Sequence, residues 1–178
     1  NWKPWLTPWI EHLAAQIAVG PMITELRSRA GEGTLYPLPA DEARARLTAI
    51  ASAWQAGMTA PLPLARDTAF AWIEKGGDAS GVERYLGDAE NAEETDLKAA
   101  KAAVQTLEGN DHQGGELSRD AYLARQWRDF DELARHQAAG RRFGELAERL
   151  YGPLHYMVKV TQKQMSGTAK RQPRGDKS

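Results

Sequence analysis

Glu11 and His12 are adjacent, and a carboxylate beside an imidazole is a pairing that general acid and base chemistry uses. The residues around them have helical spacing, however, and neighbours on a helix point about 100° apart, so the two cannot act on one atom. A second histidine one turn on would give the arrangement of a zinc-binding helix, but the chain has Gln16 there. His12 therefore reads as a partly buried structural histidine. His112, with Asp111 beside it, His136 and His155 fall in separate segments, and no pair has metal-ligand spacing.

Nuclease chemistry commonly needs an aspartate on one strand and Glu-x-Lys on the next, two carboxylates for a metal ion and a lysine to position water. The one strand pair expected offers Glu25 and Glu32, with no lysine between Met22 and Pro39. Gly31-Glu32-Gly33 has neither a dinucleotide fingerprint nor a phosphate-binding lysine and reads as turn chemistry. Cysteine is absent, and so is the Gly-x-Ser-x-Gly elbow, which leaves no local signature of a nucleophile. No catalytic, cofactor-binding or metal-ligating residue is assigned.

Tryptophans can stack nucleic-acid bases, but Trp9, Trp54 and Trp72 lie on apolar stripes and read as core. Charge offers one local candidate. After Val158, Lys159, Lys163, Lys170, Arg171, Arg174 and Lys177 face a single Asp176, a surplus of 6 − 1 = 5 positive charges. Lys159, Lys163, Lys170, Arg171 and Arg174 are the candidate DNA contacts, against the plainer reading of a solvated, disordered tail.

The elements that must position these residues follow from the hydropathy pattern. Pro8 suits the first helical position with Thr7 as cap, which leaves Asn1 to Leu6 extended and Trp5 just outside the helix. The apolar stripe is then Trp9, Leu13 and Ile17, widened by Ile10 and Ala14, and Gly20-Pro21 ends it. Ile23 to Ser28 and Thr34 to Tyr36 form a β-hairpin around Ala30-Gly31-Glu32-Gly33, and Pro37 and Pro39 mark a sheet edge. From Asp41, a second helix presents Ala43, Leu47, Ile50, Trp54 and Met58. An extended connector with Pro61 and Pro63 leads to a short helix with Phe70, Trp72 and Ile73, ended by Gly76-Gly77.

Residues 76–95 are rich in Gly, Asp and Glu and are expected to be a mobile surface insertion. Asp96 caps a helix bearing Leu97, Ala100, Val104 and Leu107, and the polar loop DHQGGE follows. Ser118 caps AYLARQWRDF, and a last helix over about 142–151 stops at Gly152-Pro153.

The chain has 178 residues, 42 % hydrophobic and 26 % charged, with formal net charge −1, as befits one globular domain of 1–158 followed by a basic tail of 159–178. That charge gives no global attraction to nucleic acid or membrane. No stretch approaches the roughly 18 apolar residues that span a bilayer, and no signal segment is visible, so a soluble, cytoplasmic protein without a membrane partner is expected.

The segments PWIEHLAAQ, the hairpin into LYPLPADEARARL, SAWQAGMTAPLPL, AFAW, DLKAAKAAVQTLEGN, YLARQW and LYGPL follow one another over roughly residues 5–155. Taken together and in this order they resemble the C-terminal end of RecC, the gamma subunit of exodeoxyribonuclease V. The resemblance implies a helix-rich α/β (α+β) domain: part of a PD-(D/E)xK nuclease-like fold that has lost its catalytic residues. It further implies RecB-like and RecD-like partner subunits, double-stranded DNA ends reached through the complex, response to Chi sites, and no cofactor on this domain. Active relatives often carry a glutamine followed four positions later by a tyrosine on the first helix, and WLTPWIEHLAAQ lacks that pair. The resemblance also implies that Asn1 is an interior position, with the region of the metal ligands upstream. A free-standing helical adaptor whose basic tail binds nucleic acid is the alternative, and a hydrolase without visible signature the third reading.

Overall fold

The structure is a computed structural model that describes residues 2–28, 31–87 and 92–169, with the side chains of 28, 31 and 159–169 excepted. Helix α1 spans Lys3–Ala18, starting five residues before the expected position. Pro4 falls in the first turn, where no N–H is needed, and Pro8 lies inside the helix. Trp5 is therefore helical rather than a lead-in residue. Pro8 gives up one backbone bond, and the burial of Trp9 (2 % exposed) and Leu13 on the same helix offsets it. The buried face is Trp9, His12, Leu13 and Gln16, whereas Ile10 and Ala14 face outward. The inward stripe is thus rotated toward the polar side of the sequence pattern.

Strands β1 (Thr24–Ser28) and β2 (Gly31–Leu35) pair antiparallel, from Thr24 opposite Leu35 to Ser28 opposite Gly31. Gly31, Glu32 and Gly33 are strand residues, a correction to the turn expected there; Ala30 lies outside the described residues. The reason for Gly33 is steric, since the Trp5 ring occupies the space that a Cβ would take. Leu35 is fully buried beneath the hairpin.

Helices α2 (Ala40–Gly57) and α3 (Arg66–Glu74) flank the proline connector. Ala43 and Ala49 of α2 are buried, but Trp54 and Met58 are 69 % and 71 % exposed, so the end of the expected stripe faces solvent. In α3, Phe70 and Trp72 are buried, and Gly76, with φ +89°, ends the turn that follows.

Residues 76–87 hold a short helix, α4 (Gly81–Leu86), whose Val82 is fully buried; 88–91 lie outside the described residues. Helix α5 (Glu94–Glu108) begins with a capping box in which Glu93 is the cap and Asp96 the third helical residue, not the cap itself. Its buried face is Ala99, Ala100, Ala103 and Leu107, with Leu97 exposed. The small side chains let α5 lie close against α3. A tiny hairpin, β3 (Gly109–Asn110) and β4 (Gln113–Gly114), replaces the expected polar loop.

The helix expected from Ser118 is three short ones: α6 (Glu116–Arg119), α7 (Ala121–Gln126) and α8 (Phe130–Arg135). Asp120 and Asp129 break it by accepting backbone N–H groups as new caps, and Trp127 between them is extended and buried. Helix α9 runs from Phe143 to Ala169, straight through Gly152-Pro153. Leu154 (0 % exposed) and Val158 (2 %) explain this correction, because their burial, about 1.5–3 kcal/mol each, outweighs the roughly 3 kcal/mol that a proline costs.

Two hydrophobic cores result among the described residues. Trp72, Val82, Leu107, Trp127, Phe130 and Phe143 centre the first, where Phe130 and Phe143 meet edge to face at 5.2 Å. Trp9, Leu13, Leu35, Phe70, Leu154 and Val158 form the second. Neighbouring residues of α3 enter different cores, and Tyr151 packs against both. The whole is helix-rich α+β, and the strands among the described residues form only these two small antiparallel hairpins. No helix among the described residues is long and apolar enough to cross a membrane.

Candidate functional site

The inward face of α1 carries the first chemistry-bearing residues, and all of them are spent on structure. The Tyr36 carbonyl can only accept, so His12 Nε2–H donates to it at 3.0 Å and Nδ1 accepts from the Thr24 hydroxyl at 2.8 Å. Burial lowers the His12 pKa below the ordinary imidazole value, and the bond to Tyr36 offsets part of that shift. Gln16 donates to the Met22 carbonyl at 2.7 Å and accepts the N–H of Met22 at 3.1 Å and of Leu38 at 3.3 Å. One amide thereby holds both ends of the segment containing the hairpin. Glu11 is exposed and shares nothing with His12.

The other candidates are not brought together. Glu25 and Glu32 lie on the outer face of the hairpin, at 3.3 and 3.9 Å from Arg27. The His155 ring packs near Trp2 (5.3 Å between centroids), His136 near Trp127 (4.9 Å), and His112 is exposed beside Asp111. Among the described residues no group of three His, Asp or Glu side chains could hold a metal ion. Lys159 and Lys163 fall on the backbone of α9, with side chains that are not described, and Lys170, Arg171 and Arg174 lie outside the described residues. Trp9 and Trp72 are core, as expected, and Trp54 is not.

Two ionic arrangements escaped the sequence. Asp96, 1 % exposed, receives Arg84 Nε at 2.7 Å and Nη2 at 2.9 Å, and Arg84 also reaches Asp78 at 3.2 Å. The paired carboxylates raise the Arg84 pKa further. Glu116 caps α3 from a distance of 49 positions in sequence, accepting the N–H of Asp67 and of Thr68, each at 3.0 Å. No local spacing signals a cap supplied from so far along the chain.

The outward face of α1 is open. Leu6, Ile10, Ile50, Trp54 and Leu62 line an apolar groove of about 270 Å³ between α1, α2 and the connector, floored by Trp9 and Tyr151. A separate polar cavity of about 520 Å³ is lined by Lys3, Arg66 and Arg119 and by Asp67, Glu116 and Asp120, with Tyr151 the residue it shares with the groove. Burial, with the nearby Glu116 charge, pushes the Tyr151 hydroxyl up to about 12. The Arg66 guanidinium, donating at 2.8 Å, holds the Asp67 carboxyl below its usual range.

Fold and site together define a helix-rich α+β unit in which the buried ionisable groups secure the architecture and the open surface beside α1 is apolar. Residues 1–77 match the family model of the RecC C-terminal domain, and the resemblance read from the sequence holds over this part of the chain. The matched part ends just after α3, so DLKAAKAAVQTLEGN, YLARQW and LYGPL fall beyond it. No curated protein matches the chain.

Proposed function

We propose that this chain is the non-catalytic C-terminal part of a RecC-like subunit that works in a helicase-nuclease of the RecBCD kind in the cytoplasm. Its role is to dock RecB-like and RecD-like subunits and to contribute to the DNA path in double-strand-break repair and Chi-responsive recombination. The match of residues 1–77 to the RecC C-terminal domain carries this reading. The use of His12, Gln16 and Glu116 for fold contacts supports the non-catalytic part. In this reading the hairpin and α1 are the rear of a nuclease-like domain. Lys159, Lys163, Lys170, Arg171 and Arg174 are its DNA contacts.

The test uses the complete subunit, alone and with both partners, on linear duplex DNA with ATP and magnesium. Assembly into a three-subunit complex that degrades DNA, with no degradation by this subunit alone, is expected. Failure to assemble, or robust metal-dependent digestion by the subunit alone, would sink the reading.

A further inference from the structure

Charge is divided unevenly along the chain. Residues 1–148 carry 16 Lys and Arg against 23 Asp and Glu, 16 − 23 = −7, whereas 149–178 carry seven cations and one anion, 7 − 1 = +6. The near-neutral total of −1 conceals this, and a polyanion meets the two parts differently. Between Arg149 and Ala169, the end of α9, there is no acidic residue.

Helix α9 orders the start of that basic run. Phe143, Ala147, Leu154 and Val158 form its buried side. On the opposite side Arg149 is exposed, with no ion pair among the described residues, and Tyr156 is 70 % exposed. At about 100° per residue, the positions of Arg149 and Lys163 each stand about 20° from Tyr156 and that of Lys159 about 60°, while Leu154 and Val158 stand about 160° away. The steps from Arg149 to Tyr156 and on to Lys163 are each about 10 Å along the axis. The two acids that precede this row are engaged, since Glu145 accepts the N–H of Arg142 at 3.0 Å and Glu148 that of Ala79 at 2.8 Å.

An exposed aromatic ring in the middle of a cationic row complements a nucleic-acid strand whose bases are free to stack, because a duplex already covers its base faces. We propose that this face of α9 binds single-stranded DNA, with phosphates along Arg149, Lys159 and Lys163 and a base on the Tyr156 ring. This rests on the DNA-contact reading above, names the strand, and adds Arg149 and Tyr156 to the contacts. The Tyr156 ring belongs to neither core, so its removal leaves the fold intact.

The test irradiates the complete subunit bound to a short single strand of DNA carrying iododeoxyuridine and maps the adducts by peptide. Trypsin cleavage after Arg149 and Lys159 isolates 150–159, which holds Tyr156. An adduct on Tyr156 is expected with the single strand and little with the same sequence as a duplex. Tyr156→Ala should weaken single-strand binding about tenfold and Tyr156→Phe should bind as wild type, while Arg149→Ala should lower the slope of log K against log salt by about 0.7. Tyr122, 83 % exposed on α7, is the control, and Tyr122→Ala should change nothing. No adduct in 150–159, an adduct as strong or stronger with duplex, or wild-type binding by Tyr156→Ala would overturn the proposal. Assembly with the partner subunits is scored separately. A subunit that assembles without giving the adduct loses only this proposal, and one that gives the adduct without assembling loses only the docking role.

Discussion

His12 and Gln16 show how a residue that looks chemical can be structural. Both sit on the inward face of α1, and their polar atoms meet backbone groups of the segment 22–38. Replacing Gln16 with Leu strands the N–H groups of Met22 and Leu38, and a loss of about 2–4 kcal/mol in urea unfolding is expected. His12 has a pH signature. Its folded pKa is lowered, so the unfolded chain binds the proton more readily. Stability from this site is present above the ordinary imidazole value of about 6.5 and is lost as pH falls through it toward the folded value. Unfolding midpoints measured from pH 7.5 to 5 should fall for the wild type and fall less for His12→Gln. Gly33→Ala forces a methyl group into the Trp5 ring, and a cost of about 1–3 kcal/mol is expected. The sequence made His12 legible as structural because no partner stood at helical spacing. It did not reveal Gln16, whose three backbone contacts depend on where the chain returns after the hairpin.

At the scale of elements, α1, the hairpin, α2, α3 and α5 were all legible, because each has a periodic apolar pattern or a glycine stop. Errors gathered where tertiary burial overrode local grammar. Prolines read as boundaries at Pro8 and Pro153 lie inside α1 and α9, held there by the burial of Trp9 and Leu13 after Pro8 and of Ala147 and Leu154 on either side of Pro153. Acidic residues did the reverse, since Asp120 and Asp129 cap new helices within what the pattern reads as one. Trp54 extends the α2 stripe in sequence, yet no element covers it. Substituting Pro153→Ala restores a helix donor and should raise stability by about 1–3 kcal/mol, whereas Leu154→Ala should cost about 2–5 kcal/mol. Thermal or urea unfolding of the two variants, compared directly, tests whether burial or the proline governs this stretch.

At the scale of the molecule, the family match stops at residue 77, but the core does not. Leu154 and Val158 complete the core around Trp9 and Leu13, while Trp2 stacks on Phe70 at 4.4 Å and donates to Glu74 at 2.6 Å. Residues 1–77 alone should therefore lack a cooperative unfolding transition by circular dichroism, and 1–169 should show one. A sharp transition in the shorter piece would separate the two parts. The apolar groove was not legible beforehand for a related reason, because Leu6 of α1 and Tyr151 of α9, which both line it, stand far apart in sequence. The grip of Gln16 on Met22 and Leu38 has another consequence. With both feet of the hairpin fastened to one side chain, the chain between Ser28 and Gly31 is a place where loops of different length can be grafted. Evolution or an engineer could vary that tip and leave the helices around it in register.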